Sequence, residues 1–355
     1  MHIPDGYLSP ATCATLYTGA APFWYVALRR MKRKLNTQIV PLVSVFAAFS
    51  FIVMMFNLPL PGGTTGHAAA IGIAAIVLGP WAAILAISIA LVIQAVFFGD
   101  GGITAIGANC FNMAIIGTLA AYACYRLVAG RAPLDSPRRV MAAALAGYLS
   151  INLSALAAAI ELGLQPLLYR DTSGVPLYAP YPLRIAIPAV MIGHLTVAGL
   201  AEAVISAGVV GYLQRAEPSL LKLTAPGARS SGIDTKPAGW RATKPLWIAL
   251  GVLMVLTPLG ILAAGSAWGE WSADEFSNPE SRRQIAAVSN NQATPVEAPT
   301  GMRRLASVWT APMPRYAPPF LKSAAFGYVL SAFAGAGLVI LAVVFAGWLL
   351  RSRAT

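Results

Sequence analysis

Nine apolar stretches dominate the chain, at roughly residues 11–29, 38–57, 66–79, 80–98, 104–128, 139–162, 183–213, 246–267 and 324–350. Most run for about 20 residues, the length of helix that crosses the hydrocarbon core of a bilayer. Inside that core every backbone N–H and C=O must be bonded within the protein, so such stretches fold as helices. Composition agrees. Hydrophobic residues make up 57% of the 355 and charged ones only 11%, against roughly 25% charged in a soluble domain. The fold class expected is an all-α multi-pass membrane protein in a lipid bilayer. The third stretch is short, and Gly79-Pro80 parts it from the fourth, which predicts a tight helical hairpin.

The net charge of +12 does not point to nucleic acid, because the basic residues form no stripe interleaved with aromatics. They cluster instead in alternate loops. Arg29, Arg30, Lys32, Arg33 and Lys34 follow the first stretch, and Arg126, Arg131, Arg138 and Arg139 surround the fifth-to-sixth connection. Arg215, Lys222, Arg229, Lys236, Arg241 and Lys244 fill the seventh-to-eighth loop, and Arg351 and Arg353 close the chain. The positive-inside rule puts these loops and the C-terminus in the cytoplasm. The N-terminus is then extracytoplasmic, together with PLPGGTTGH at 59–67, FGDGG at 98–102 and the polar, Pro-rich loop 269–322. The organisation expected is a seven-helix domain over 1–215, a cytoplasmic linker over 216–245 rich in Pro, Gly and Ser, and a two-helix region over 246–355.

Cys13, Cys110 and Cys124 lie in apolar runs without CxxC spacing and read as packing residues. The start has no basic segment followed by a cleavage site, so the first residues are expected to remain. No Walker A loop occurs, so any ATP-driven work must be done by another subunit.

Topology brings MHIPDG and TGH to one face of the membrane. His2 is one of only three histidines, and its bulk favours retention of the initiator Met1. An α-amine yields its proton to a metal at neutral pH, since its pKa is only about 7.7–8.0. The Met1 amine, the His2 amide nitrogen and a His2 imidazole nitrogen can form fused chelate rings, held nearly coplanar by the peptide unit. A fourth nitrogen would complete a square, a geometry that suits Ni(II) or Cu(II) and not zinc. His67 is the only other histidine on that face, flanked by Gly62, Gly63 and Gly66. Thr64, Thr65, Asn109 or Asn112 can orient its ring. Spacing alone leaves a second reading open, with His2 in a solvated tail and His67 beside a helix cap.

His194 and Glu202, eight residues apart on one helix, read either as a buried pair or as a relay. Asp100 reads as a turn residue. A secondary divalent-cation transporter would need acids along its path, and Glu202 stands nearly alone there. A membrane enzyme would need a nucleophile or acid–base cluster, and none is visible.

MHIPDGYLSP, PLPGGTTGHAAAIGIAAIVLGPWAA and GDGGITAIGANCFNMAIIG resemble the CbiM/NikM family, the substrate-capture (S) components of energy-coupling-factor (ECF) transporters for cobalt and nickel. The likeness covers about residues 1–215. The tail, with AWGEWSADEF, TGMRRLASVW and APMPRYA, resembles the small N component fused to some nickel members, although the string PDGLE is absent near 268–322. The resemblance implies metal ligands at Met1, His2 and His67, with Ni2+ or Co2+ as transported substrate and no organic cofactor. It also implies a non-enzymatic subunit in the cytoplasmic membrane of a prokaryote. Its partners would be a transmembrane coupling (T) protein and a cytoplasmic ATPase pair, with no nucleic acid. A cobalt-specific capture subunit serving cobalamin synthesis is the near alternative.

Overall fold

The apolar stretches fold as helices, and glycine or proline marks several of the breaks, as at Gly79-Pro80, Gly99 and Gly130. The computed structural model describes residues 1–34, 39–60, 64–224, 240–263 and 265–352. The first helices are α1 (Pro10–Lys34) and α2 (Ile39–Met54), followed by a small hairpin of β1 (Leu58–Leu60) and β2 (Thr64–Gly66). Then come α3 (Ile71–Leu78), α4 (Pro80–Phe98), α5 (Ile106–Ala129), α6 (Pro137–Leu168) and α7 (Leu183–Ala216). In the tail α8 (Trp240–Leu256) continues as a 3-10 turn over Thr257–Leu262. Three short helices follow, α9 (Ala273–Ser277), α10 (Pro279–Val288) and α11 (Thr300–Ala306), before the long α12 (Ala324–Ser352).

Six helices among the described residues are long and apolar enough to cross a membrane: α4, α5, α6, α7, the Lys244–Leu262 segment and α12. The apolar stretch expected at 66–79 is shortened, because Gly66 ends β2, residues 67–70 are irregular and an eight-residue helix remains. Gly79, at φ +75°, ends α3, and Pro80 opens α4 at the helical position where its missing N–H costs nothing. Half of the linker expected at 216–245, residues 225–239, lies outside the described residues, as do Gly62 and Gly63.

The bundle closes through small residues. A Cβ on Gly72 of α3 would lie 2.7 Å from the Gly147 Cα of α6, and one on Gly147 would lie 2.7 Å from the Glu202 carbonyl oxygen of α7. Three helices therefore meet backbone to backbone, as membrane helices do where dispersion replaces the hydrophobic drive. α2 packs against α4 and α12, and α6 runs between α5 and α7. Outward faces carry Leu127, Val204, Leu341 and Trp348, all exposed, as a lipid-facing surface requires. The tail segment between α8 and α12 lies over one end of this bundle. Tyr181, Trp268, Trp271 and Phe276 stack there edge to face, and Met302 N–H donates to the Leu177 carbonyl at 3.1 Å.

Candidate metal centre

The first residues fold inward as an arm, and backbone bonds fix its course. Ile3 N–H donates to Asn109 Oδ1 at 2.8 Å, and Asn109 Nδ2 returns a bond to the Ile3 carbonyl at 3.1 Å. Gly102 N–H donates to the same carbonyl at 2.9 Å. The Asp5 carboxylate accepts from Ile103 N–H at 3.0 Å, Thr104 N–H at 2.8 Å and the Thr104 hydroxyl at 2.5 Å. Gly6, at φ +88°, makes the bend, and beyond it the Tyr7 hydroxyl donates to the Trp271 carbonyl at 2.7 Å. Ser9 N–H ends the arm on Gln165 Oε1 at 2.9 Å. The approach is close enough that a Cβ on Gly102 would stand 2.3 Å from the Asp5 nitrogen.

This arm carries Met1 and His2 into the protein, where His2 is only 2% exposed. The hairpin β1–β2 delivers His67 from the other side, one residue after Gly66. His67 Nδ1 lies 3.0 Å from the Ala68 carbonyl. A carbonyl can only accept, so Nδ1 carries the hydrogen and Nε2 keeps its lone pair. That lone pair faces His2 Nδ1 at 3.2 Å, with the ring centroids 4.9 Å apart. Burial holds the His67 pKa well below the ordinary imidazole value, and the charges of His2 and the Met1 amine push the same way. The ring is therefore neutral at neutral pH, the form a metal needs.

Two carboxylates complete the surroundings. Asp100 Oδ1 lies 3.0 Å from His2 Nδ1, and its Oδ2 accepts from the Tyr316 hydroxyl at 2.5 Å. Burial opposes its charge, but His2, then His67 and the Tyr316 hydroxyl, hold the carboxyl well below the usual range. Glu270 pairs with the Met1 amine. A recess of 460 Å3 opens above, lined among others by His67, Asp100, Glu270 and Arg315.

The structure thus brings Met1, His2 and His67 together and corrects several finer expectations. Asp100 is a direct neighbour of His2 and not only a turn residue. Asn109 holds the Ile3 backbone and does not orient His67, whose Nδ1 is fixed by Ala68. Asn112 donates to Glu161 at 2.8 Å, and Thr65 Oγ1 is directed to Gly265 at 3.5 Å. Glu161 is a second acid within the helices, overlooked beside Glu202. Glu202 does not bond His194. It accepts from the amides of Ala69, Ala70 and Gly72 at 2.8, 2.9 and 3.0 Å, filling the otherwise empty bonding sites at the start of α3. His194 Nδ1 is bonded at 2.8 Å to the Val190 carbonyl, one turn back.

Residues 2–220 match the family model CbiM, described as the cobalt uptake substrate-specific transmembrane region. The chain belongs to the CbiM family. Residues 243–352 match the PDGLE domain model, so the tail carries that domain's pattern although the five-letter string is missing. A fused nickel transport protein, NikMN, of Rhodobacter capsulatus is 54% identical over 340 residues, covering 96% of this chain and 95% of that protein. A probable fused nickel transport protein, LarMN, of Lactiplantibacillus plantarum is 45% identical, covering 81% of this chain and 82% of that one. Among solved structures, a transition metal transporter aligns with a TM-score of 0.58 at 50% identity, covering 63% of this CbiM-family chain and 98% of its own. Among the described residues no group of three or more His, Cys, Asp or Glu side chains forms a metal cage.

Proposed function

We propose that the chain is the substrate-capturing membrane subunit of an ATP-driven ECF uptake system for Ni2+, with Co2+ as the near alternative. One observation carries the reading: His67 Nε2 faces His2 Nδ1 at 3.2 Å, next to the buried terminal amine. Metal–nitrogen bonds of about 2.0 Å place adjacent corners of a square about 2.8 Å apart. The two imidazole nitrogens need to close by only a few tenths of an ångström to share one ion. The Met1 amine and the His2 amide nitrogen, each after giving up a proton to solvent, supply the other two corners, and fused rings keep them in the plane of His2 Nδ1. A low-spin d8 ion gains most from four such donors, which favours Ni(II). The cobalt description of the family model supports the alternative.

Before loading, the Glu270 carboxylate neutralises the terminal ammonium. The ion takes its place at the amine once the proton has left. The recess lined by Asp100 and Glu270 is the route of arrival, with negative charge to draw a cation. In this reading the recess and the N-terminus are extracytoplasmic, the C-terminus is cytoplasmic, and the seven-plus-two helices sit in the cytoplasmic membrane of a prokaryote. The coupling (T) protein and the ATPase pair are separate chains. The test is the metal content of the purified protein with an intact terminus after exposure to equimolar Ni2+ and Co2+. The expected result is one ion per chain, mostly nickel, lost in His67→Ala and in a chain lengthened by one residue before Met1. Equal loading of all three proteins would refute the site.

A further inference from the structure

The third histidine lies behind the first two. His194 and His2 both line one small cavity of 20 Å3, whose wall also includes Met1, Leu60, Thr64, Thr65 and Trp268. The cavity holds about one water molecule and no organic ligand. Both rings are nine-tenths or more buried, and Nε2 of each has no hydrogen-bond partner among the described residues. His194 sits in a π-turn, His194–Ala198, that interrupts α7. Such turns recur where a helix must aim a side chain at a functional group.

The hydrogen positions follow from the partners. His194 Nδ1 lies 2.8 Å from the Val190 carbonyl, so Nδ1 carries the hydrogen and Nε2 is an acceptor. This is the same arrangement that Ala68 imposes on His67. His2 Nδ1 faces Asp100 and His67, which leaves Nε2 as the unpartnered ring nitrogen of a residue that lines the cavity. When Nδ1 is given to a metal, the neutral His2 ring carries its hydrogen on Nε2. An unpartnered donor and an unpartnered acceptor then belong to two residues that line one cavity with room for about one water.

We propose that His194 is a positioning residue for the metal site. Its Nε2 accepts the hydrogen of His2 Nε2, directly or through one water, and so favours the ring state of His2 that binds metal. The proposal rests on the chelate reading above, in which His2 uses Nδ1. Metal-bound histidines almost always donate their second ring N–H to an acceptor, and loss of that acceptor typically weakens metal binding by about 10- to 100-fold. Two imidazoles with no carboxylate in the cavity wall do not make a second metal site.

The experiment measures Ni2+ affinity by chelator competition on the full-length protein in detergent. It compares wild type, His194→Leu, His194→Gln and His67→Ala. Both His194 variants lose the bond to Val190, so any purely structural loss is common to them, and only Gln returns an acceptor near the Nε2 position. The expected result is a loss of about 10- to 100-fold for Leu and recovery to near wild type for Gln. Equal weakening in both variants overturns the proposal, as does wild-type affinity in His194→Leu. Full Ni2+ binding by His67→Ala fails the chelate reading itself, whatever His194 does. Should the His194 variants not fold, the wild-type chain labelled with 15N-histidine decides, since it has only three imidazoles to resolve. On Ni2+ loading His2 Nε2 must become the protonated ring nitrogen while His194 Nε2 stays bare and shifts. A His194 signal that does not change on loading overturns the proposal.

Discussion

Asn109 is the residue whose loss should separate the arm from the metal. Its side chain is 3% exposed and makes two bonds to the backbone of Ile3, at 2.8 Å to the N–H and 3.1 Å from the carbonyl. In Asn109→Ala the Ile3 carbonyl keeps Gly102 N–H at 2.9 Å, so only the net worth of one bond is lost there, about 1 kcal/mol. The Ile3 N–H is left buried without that acceptor, which costs about 1–3 kcal/mol. The sum is about 3 kcal/mol against the folded arm. Because the arm carries two of the proposed ligand residues, this loss passes to the ion as a weakening of about a hundredfold, at 1.4 kcal/mol per factor of ten. Chelator competition with Ni2+ on purified protein measures it, with a melting curve to confirm that the bundle is intact. A dissociation constant within threefold of wild type, in a protein that melts normally, would refute the idea that the Ile3 clamp holds the site.

Three further outcomes follow from the same geometry. Gly102→Ala forces a Cβ to within 2.3 Å of the Asp5 backbone nitrogen. It should weaken Ni2+ binding by at least about tenfold, whereas Gly208→Ala, with no atom within 4 Å of the new Cβ and a helical gain of up to about 1 kcal/mol, should leave binding unchanged; equilibrium dialysis of both variants checks this. Glu202→Gln removes a charged acceptor from three amides at the start of α3. It should lower stability by about 1.5–3 kcal/mol for a bond to a charged group, seen as a lower melting temperature. In proteoliposomes holding the chain with the proposed coupling and ATPase partners, collapse of ion gradients should leave Ni2+ uptake intact and removal of ATP should abolish it.

Much of the architecture was legible because one rule governs it. A run of about 20 apolar residues has few alternatives to a helix in lipid, and Gly79-Pro80 marked the break between α3 and α4 in advance. Met1, His2 and His67, which the structure brings together, each belong to a short, unusual local string. What remained hidden were contacts between residues far apart in the chain. Glu270 is separated from Met1 by 269 positions, and Tyr316 from Asp100 by 216. Neither residue stands out locally, since a glutamate or tyrosine in a polar loop is ordinary. Thr64, Thr65, Asn109 and Asn112 read as partners for His67, but the chain uses the adjacent Ala68 carbonyl. A backbone acceptor one residue away has no side-chain signature.

The same distance explains why the tail matters to the site. The arm is short and cannot bury itself, so its two sides need separate supports. The bundle supplies one, through Asn109, Gly102 and Gln165. The tail supplies the other: Trp271 receives the Tyr7 hydroxyl, Glu270 pairs with the terminal amine, and Gly6 lies so close to Met302 that a Cβ would stand 2.4 Å from its carbonyl oxygen. Without these contacts the arm would keep its inner clamp but expose its outer face and its charge to water. Covalent fusion fixes the tail at a high effective concentration over the arm, independent of how much of either part is made. The proposed metal site therefore sits where the first residues are enclosed between two regions that the sequence places far apart.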